Sequence, residues 1–264
     1  MIKIILKVFF GIVAAIALLI TSYLFYFSGS SHVPTNVLAT MPFISPGGPI
    51  LIFGGNRGTG LEVVKKLHAH GENLTVAVRA NSRTTELEKL GIKTVIADVL
   101  DAAAVSQAFT SEPFGAVIST LGSARTDKMR RPDYIGNRNV IEAAKAAGAQ
   151  RFILITTIGS GDSLTAAPWA SRKFLHEVIV LRTQAEEHLV RSGLDYTIIR
   201  PGGLGNVKAT GTSYLTADTA AFSYISRIDL AALIVQALGD KNTIGQIYST
   251  YDSSRPVMWN KLKD

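Results

Sequence analysis

The stretch Pro49-Ile-Leu-Ile-Phe-Gly-Gly-Asn-Arg-Gly-Thr-Gly-Leu61 decides the fold of this 264-residue chain. Its apolar part, residues 50–53, predicts a buried strand, and residues 61–68 predict a helix. The glycine-rich turn between them carries Gly54, Gly58 and Gly60. Glycines permit positive φ angles and close backbone approach, and the start of the helix offers unpaired N–H groups to an anion. The unit therefore predicts a site for the pyrophosphate of a dinucleotide. A tight turn that binds nothing is the alternative, because the spacing G-x-x-x-G-x-G differs from the commoner G-x-G-x-x-G.

Strand-like and helix-like segments alternate after this unit. Further strands are predicted at residues 74–78, 94–97, 116–120, 152–157 and 196–199, and helices at residues 84–90, 101–109, 134–147 and 174–191. Alternation of this kind, with continuously apolar strands, predicts an α/β fold built on a doubly wound parallel sheet. The ligand crevice of such a sheet lies at the carboxyl ends of its strands.

The N-terminus predicts a transmembrane helix. Residues 8–27 carry no charge, and twenty helical residues rise about 30 Å, the thickness of a hydrocarbon core. The expected organisation is an anchor over residues 1–30, a flexible linker over 31–48 and a dinucleotide-binding domain over 49–264. An aromatic belt is expected at one interface from Tyr23, Phe25, Tyr26 and Phe27. A cleavable signal peptide is the alternative, but Ser28-Gly-Ser-Ser-His-Val-Pro poorly matches a cleavage site.

Composition excludes several classes of function. The formal net charge is +7, and subtracting Lys3 and Lys7 leaves +5 for the remainder. The basic residues of the remainder are scattered, which argues against nucleic acid. The positive charge suits an anionic cofactor or a negatively charged membrane surface equally well. Cysteine is absent, so disulfides, thiolate metal sites and cysteine nucleophiles are excluded. No metal site is predicted, because no ligand spacing links the carboxylates with His32, His68, His70 and His188.

The end of the second predicted strand indicates which dinucleotide is bound. It reads Ala77-Val-Arg-Ala-Asn-Ser-Arg83, with no carboxylate for a free ribose 2′-hydroxyl. Arg79 is therefore predicted to bind a 2′-phosphate, helped by Ser82, Arg83 and Arg57, so NADP(H) is favoured over NAD(H). The alternative is that these arginines are solvated turn residues. Asp98 either accepts from the adenine amino group or caps the helix that follows.

At this point the residues resemble a family. From Gly48 to about Tyr248 the chain is similar to the short-chain dehydrogenase/reductase superfamily. It looks most like the atypical NAD(P)H-binding branch that includes NmrA-like regulators and biliverdin-IXβ/flavin reductases. The matching stretches are Ile52-Phe-Gly-Gly-Asn-Arg-Gly-Thr-Gly60, Asn137-Arg-Asn-Val-Ile-Glu-Ala-Ala-Lys-Ala-Ala-Gly148, Arg151-Phe-Ile-Leu-Ile-Thr-Thr-Ile-Gly-Ser-Gly-Asp162, Ala185-Glu-Glu-His-Leu189, Ser192-Gly-Leu-Asp-Tyr-Thr-Ile-Ile-Arg-Pro-Gly-Gly-Leu204 and Ile225-Ser-Arg-Ile-Asp-Leu-Ala231.

The resemblance implies a Rossmann-type domain and assigns a cofactor site. The glycine loop would cradle the pyrophosphate, the end of the fourth strand would pass beneath the adenosine, and the ends of the fifth and sixth would line the nicotinamide. The predicted cofactor-binding residues are Gly54, Asn56, Arg57, Gly58, Thr59, Gly60, Arg79, Ser82, Arg83, Asp98, Val99, Ser119, Thr120, Leu121, Gly122, Thr156, Pro201, Gly202, Gly203 and Leu204.

The chain departs from the family pattern at its catalytic pair. Standard members carry a Tyr and, four residues later, a Lys, but Val178 and Arg182 stand where that pair would lie. Arg182 can still bind ribose hydroxyls, whereas Val178 cannot move a proton. The predicted catalytic residues are Thr157, Ser160 and Arg182. Asp162 and His176 are further candidate donors, although a turn or surface role explains each of them equally well.

Two segments are predicted to form the substrate walls, residues 165–169 and 204–224. They and the neighbouring chain are aromatic, and core packing is the alternative explanation for Trp169, Phe174, Tyr214, Phe222 and Tyr224. Residues 209–221 are rich in Ala, Gly and Thr and are expected to form a mobile loop.

The leading hypothesis is a membrane-anchored NADPH-dependent oxidoreductase that reduces a hydrophobic or planar acceptor such as a quinone, flavin or tetrapyrrole. The alternative is a non-catalytic NADPH sensor or assembly factor with a membrane-protein partner. Nucleotide-sugar epimerisation would need the missing phenol. The domain is expected on the cytoplasmic face, where NADPH is plentiful, although Lys3 and Lys7 favour the opposite orientation.

Overall fold

A computed structural model describes residues 2–27, 32–122 and 131–255. The predicted boundary between anchor and linker, and the last nine residues of the predicted domain, lie outside the described residues. The same holds for the side chains of the aromatic belt beyond Tyr23.

An eight-stranded sheet forms the centre of the domain, in the order β3-β2-β1-β4-β5-β6-β10-β8. Only β8 in this sheet is antiparallel to its neighbour. A small second sheet pairs β7 with β9. The described strands are β1 Ile50–Phe53, β2 Leu74–Val78, β3 Lys93–Ile96, β4 Ala116–Ser119, β5 Arg151–Ile155, β6 Asp195–Arg200, β7 Gly203–Gly205, β8 Ser213–Thr216, β9 Tyr224–Ser226 and β10 Gln246–Asp252.

Helices cover both faces of the large sheet. They are α1 Ile2–Phe27, α2 Gly58–Ala69, α3 Thr85–Lys89, α4 Ala102–Ala108, α5 Ile135–Ala146, α6 Trp169–Phe174, α7 His176–Val190 and α8 Arg227–Gly239. One buried apolar cluster joins the sheet to α2, α3 and α8, and a second joins it to α4, α5 and α7. The direction of strand order reverses between β1 and β4, which opens a crevice at their carboxyl ends. The predicted doubly wound parallel sheet is confirmed.

Two predicted elements need correction. The helix expected over residues 174–191 forms as α7 from His176 to Val190, but its predicted first residue, Phe174, ends the separate helix α6, which was not predicted. The mobile loop expected over residues 209–221 contains β8, which pairs with β10. This strand forms because Leu215 is buried and the ring centroids of Tyr214 and Tyr251 lie 5.5 Å apart.

The predicted flexible linker has little secondary structure, but it is attached to the domain. Val37 forms a β-bridge with Thr216, and Gln236 Nε2 donates to the Ala39 carbonyl over 2.9 Å. The rings of Phe43 and His70 have centroids 4.4 Å apart. Residues 32–48 are therefore an N-terminal strap fixed to β8, α8 and α2 rather than a free tether.

Among the described helices, α1 alone is long and apolar enough to cross a membrane. Its span Ile5–Tyr23 has a mean hydropathy of 2.4 and none of it is buried. An N-terminal signal sequence meets the same criteria, so length and composition alone do not distinguish a membrane anchor from a signal sequence.

Candidate cofactor site

The glycine loop between β1 and α2 is shaped by close backbone contacts. Gly54 has φ +82°, and a Cβ atom there would lie 2.7 Å from Thr120 Oγ1. A Cβ atom on Gly60 would collide with the carbonyl oxygen of Gly54. The Arg57 side chain does not cap α2, so the first N–H groups of the helix remain available to an anion. The loop can therefore hold a diphosphate, because the space a side chain would fill is open.

The loop after β1 meets the turn after β2. Asn56 Nδ2 donates to the Arg83 carbonyl over 3.5 Å, and the turn is closed by a hydrogen bond of 3.1 Å from the Arg79 N–H to Ser82 Oγ. Arg57, Arg79 and Arg83 are exposed. Within the residues that the structure describes, none of these three forms an ion pair. The predicted 2′-phosphate residues are thus brought together with free positive charge.

Asp98 and Val99 lie at the end of β3. Asp98 Oδ1 accepts a hydrogen bond from the Leu100 N–H over 3.1 Å. The cap of α4 is instead Asp101, which accepts from the N–H groups of Ala103 and Ala104. Val99 is buried, and its carbonyl accepts from Asn139 Nδ2 over 2.9 Å. The capping role considered for Asp98 is therefore wrong for α4.

The end of β4 is tied to α5 by a buried polar chain. Ser119 Oγ donates to Asn137 Oδ1 over 2.6 Å, and Asn137 Nδ2 donates to the Asp133 carbonyl over 2.8 Å. This chain holds the strand end, together with Thr120, Leu121 and Gly122, at the crevice.

Arg182 reaches the crevice from α7. Its Nε donates to Oδ1 of fully buried Asp133 over 2.9 Å, and its Nη1 donates to the Thr156 carbonyl. A Cβ atom on Gly122 would collide with its Nη2. The guanidinium is therefore fixed between the ends of β4 and β5. Sequence reasoning missed Asp133, whose role depends on a contact 49 residues away in sequence.

A second buried ion pair stands behind Thr156. Thr156 Oγ1 donates to Glu186 Oε1 over 2.5 Å, and Arg200 Nη2 donates to Glu186 Oε2 over 2.7 Å. Arg200 also pairs with Asp162. Burial alone would lower the pKa of Arg200, but its hydrogen bonds and charge pairing with Glu186, and then with Asp162, hold that pKa above its usual value. This cluster fixes the end of β5.

The predicted proton donors differ in how far they are exposed to solvent and in their contacts. Ser160 is completely buried, and its Oγ has no hydrogen-bond partner among the described residues. Its hydroxyl is closed off from solvent in this conformation, and its catalytic role stays a prediction. Thr157 is half-buried, His176 is exposed, and Asp162 is engaged with Arg200.

The run Pro201–Leu204 packs against β9. The Gly203 N–H donates to the Ser223 carbonyl over 3.1 Å, and Cβ atoms on Gly202 and Gly203 would collide with Ser223 and with the Tyr224 ring. This packing explains why both positions are glycine, whether or not they also contact a nicotinamide.

Arg227 is a functional candidate that sequence reasoning missed. It lies in the first turn of α8, where Ser226 and Asp229 form the N-terminal cap. Its Nη1 donates to Thr59 Oγ1 over 3.0 Å and its Nε donates to Asn206 Oδ1 over 2.9 Å. Burial lowers its pKa. A cation at the start of a helix is unfavourable, and this was the sequence signal that could have identified it.

The predicted substrate walls contain two kinds of aromatic residue. Phe222 and Tyr224 are buried in a cluster with Ile158 and Ala167. Trp169 and Phe174 are 49% and 74% exposed. Core packing therefore explains the first pair, and only the second pair faces outward.

A shallow cavity of about 200 Å³ lies elsewhere, between α7 and the strands β6 and β10. It is lined by Gly161, Thr183, Val190, Arg191 and Arg200 among others, and by none of the predicted cofactor residues. We assign the cofactor to the glycine loop instead, because the anion-binding geometry is found there.

Comparison with known proteins decides the family. A family model described as NAD(P)H-binding matches residues 54–241. The chain belongs to the NAD(P)H-binding family. The match begins at the first glycine of the loop, directly after β1, and continues past α8, so it includes the glycine loop and the ends of β4, β5 and β6. The prediction of a nicotinamide dinucleotide cofactor is confirmed, because the family binds NAD(P)H. The resemblance to the atypical short-chain dehydrogenase/reductase branch is confirmed as well.

Several relatives of this NAD(P)H-binding protein are known. The chain is 30% identical over 212 residues to an uncharacterized sugar epimerase, YhfK of Bacillus subtilis, covering 79% of this chain and 96% of that one. The structure of the anaerobillin reductase ChuY of Escherichia coli O157:H7 superposes with a TM-score of 0.70 at 31% identity, covering 78% and 97%. The photosystem II assembly factor Ycf39 of Cyanophora paradoxa is 24% identical over 210 residues, covering 75% and 62%.

Proposed function

We propose that this NAD(P)H-binding protein is a membrane-anchored, NADPH-dependent oxidoreductase that reduces a hydrophobic or planar acceptor, such as a quinone, a flavin or a tetrapyrrole. The observation that carries the proposal is the contact between Asn56 and the Arg83 turn. It gathers three guanidinium groups beside the glycine loop, and none of them forms an ion pair with any residue that the structure describes. A doubly charged 2′-phosphate suits this site better than a neutral hydroxyl.

Different residues would bind the phosphate groups of NADPH and orient its ribose. The N–H groups at the start of α2 and the guanidinium of Arg227 would hold the diphosphate, and Arg79 with Ser82 the 2′-phosphate. Arg182, fixed by Asp133, would hold ribose hydroxyls. NADPH, when bound, supplies a hydride equivalent to the acceptor. Thr157 and solvent are the proton sources we infer, because Ser160 is buried.

The absence of a phenol on α7 narrows the acceptor class. Val178 stands where the family's usual proton donor would lie, so simple carbonyl substrates lack their acid. Acceptors with delocalised π systems take up a hydride and then a proton from water, and so do not need a dedicated acid. The relative described as an anaerobillin reductase supports a reductase function.

The cofactor proposal is tested by calorimetric titration of NADPH and NADH against the wild type and Arg79→Ala. Loss of a charge-assisted phosphate contact should cost NADPH about 1–3 kcal/mol and NADH little. Arg138→Ala is the matched control, because Arg138 is an exposed arginine whose guanidinium lies over the Tyr134 ring at the start of α5, outside the predicted cofactor residues. Equal losses for both nucleotides in Arg79→Ala would refute the 2′-phosphate assignment.

The activity is tested by following NADPH oxidation by the full chain in lipid nanodiscs, with quinones, flavins and tetrapyrroles as acceptors. Gly60→Ala serves as the control, because its Cβ would collide with the Gly54 carbonyl in the loop. We expect turnover by the wild type and background rates for the variant. Wild-type rates equal to the variant across the panel would contradict the proposal.

A second candidate function is a non-catalytic NADPH sensor or assembly factor for a membrane complex. The observation that favours it is Val178 on α7, which removes the usual proton donor, and the relative described as an assembly factor is consistent with it. In that case NADPH would bind without turnover and would change the association of the full chain with a membrane partner.

A further inference from the structure

The end of α1 is held close to the crevice by a short piece of chain. Five residue steps separate Phe27 from His32, which span at most about 18 Å. His32 Nε2 lies 2.5 Å from Asp218 Oδ2, so the strap begins at a fixed point. The C-terminal end of α1 therefore lies within that reach of His32, which contacts Asp218.

Asp218 lies four residues before Phe222, which belongs to the predicted wall of the crevice. The N–H of Ala221 donates to the Asp218 carbonyl over 3.2 Å, and the next residue, Phe222, is buried against Ile158 and Ala167. Ile158 follows the end of β5 and Ala167 precedes α6. The anchor is thus fastened to the same cluster that supports the predicted substrate walls.

Direct contacts place the anchor helix α1 on the side of the domain that carries the predicted substrate walls. α1 contacts α6. Burial raises the pKa of Tyr224 to about 12, and the charge of Tyr23 on α1 adds to the effect. Tyr23 therefore lies near Tyr224 in β9, the strand that pairs with β7 at Gly203. Two separate features, the His32–Asp218 pair and the α1–α6 contact, agree on this side of the domain.

The surface next to α1 has the composition of a membrane-contacting segment. Four large apolar side chains around α6 are substantially exposed, and together they form the α6 patch: Leu164, Trp169, Phe174 and Leu175. Lys173 Nζ lies 5.1 Å from the centroid of the Trp169 ring. The helix carries Arg172 and Lys173 and no acidic residue. Tryptophan with flanking basic residues is typical of the bilayer interface, where anionic headgroups attract the charge.

We propose that the α6 patch lies in the headgroup region of the bilayer that holds α1, so that a lipid-soluble acceptor enters the crevice directly from the membrane. The proposal rests on the membrane-anchored reductase described above and adds the route by which its acceptor arrives. The occupant of the patch is the lipid surface itself, because the anchor helix α1 contacts α6 and the basic residues Arg172 and Lys173 lie on α6.

Tryptophan quenching by brominated lipids tests the proposal. The chain has two tryptophans, so Trp259→Phe in the full chain leaves Trp169 as the single reporter. In nanodiscs of phosphatidylcholine and phosphatidylglycerol with brominated acyl chains, we expect Trp169 to lose roughly half of its emission relative to unbrominated nanodiscs.

A matched reporter marks the opposite edge of the domain. Val190 is exposed at the end of α7, at the amino ends of the strands. The variant Trp169→Phe/Trp259→Phe/Val190→Trp should keep its full emission. Absence of quenching at Trp169, or equal quenching at both positions, would overturn the proposal. NADPH turnover is measured in the same samples: selective Trp169 quenching without turnover would refute the reductase function and leave the membrane contact standing.

Discussion

Arg227 Nη1 donates a hydrogen bond to Thr59 Oγ1 across 3.0 Å, joining the first turn of α8 to the first turn of α2. Burial lowers the pKa of this guanidinium, and in the described part of the chain no carboxylate pairs with it. Two helix N-termini, each bearing partial positive charge, meet at this cation. An arrangement of this kind is stabilised when an anion binds between them, and the diphosphate of a dinucleotide has the required charge.

Replacing Arg227 with alanine should weaken NADPH and NADH equally. The diphosphate is common to both nucleotides, so each should lose about 1.5–3 kcal/mol of binding free energy, the range for a hydrogen bond to a charged group. Calorimetric titration measures both values. The pattern differs from that of Arg79→Ala, which should affect NADPH alone. A loss restricted to NADPH in Arg227→Ala would place this arginine at the 2′-phosphate instead.

Glu186 should be important for stability and its neighbour should not. Glu186→Gln removes the charge that neutralises buried Arg200, and breaking such a pair costs about 3 kcal/mol. Glu187→Gln is the control, because Glu187 is exposed and its Oε2 lies 3.8 Å from Arg191 Nη1, a weak surface ion pair. A change within about 0.5 kcal/mol in the free energy of unfolding is expected. Urea unfolding gives both free energies. Similar values for the two variants would show that the Glu186–Arg200 pair does not stabilise the fold.

Gly122 and Arg182 should be energetically coupled. A Cβ at position 122 would displace the Arg182 guanidinium from Asp133 and from the Thr156 carbonyl. Gly122→Ala should therefore cost about 1–2 kcal/mol of stability in the wild type and within about 0.5 kcal/mol in an Arg182→Ala background. A double-mutant cycle by chemical denaturation measures the difference. Equal costs in the two backgrounds would mean that Arg182 is not held against Gly122.

The stability of the domain should depend on Tyr224 at high pH. Burial raises the folded-state pKa of Tyr224 to about 12, above the ordinary value of 10.0. The unfolded chain loses this proton first as the pH rises, so the contribution of Tyr224 to stability is complete below pH 10.0 and is lost as the pH approaches 12.

Tyr224→Phe has no proton to lose, so its free energy of unfolding should fall less steeply than that of the wild type over this pH window. Tyr196→Phe is the comparison, because Tyr196 is only partly buried. Parallel curves for wild type and Tyr224→Phe would show that the Tyr224 phenol is not shielded from water.

The local sequence was sufficient to predict most of the fold. The strand over residues 50–53 and the strand over 74–78 have the predicted bounds, because continuous apolar runs bordered by glycine or charge have few other solutions. The strand β8 was not predicted, since its stability comes from pairing with β10 rather than from its own composition. The break at Leu175 likewise leaves little trace in an apolar pattern that continues across it.

The site was predictable where it depends on the backbone and obscure where it depends on distant contacts. The glycine loop and the Arg79 turn follow from local spacing. Asp133 contacts a residue 49 positions away, so no short-range pattern identifies it. The contact of Arg227 spans 168 positions, and its only local signal is a cation in the first turn of a helix. The burial of Ser160 was equally hidden from the local sequence, because burial is a property of the folded chain.

The crystal structure of the complex with NADPH tests the central claim most directly. The account predicts the diphosphate against the N–H groups of residues 58–60 and within hydrogen-bonding distance of Arg227, with the 2′-phosphate at Arg79 and Ser82. A structure in which NADPH binds elsewhere, with the glycine loop empty, would contradict the account.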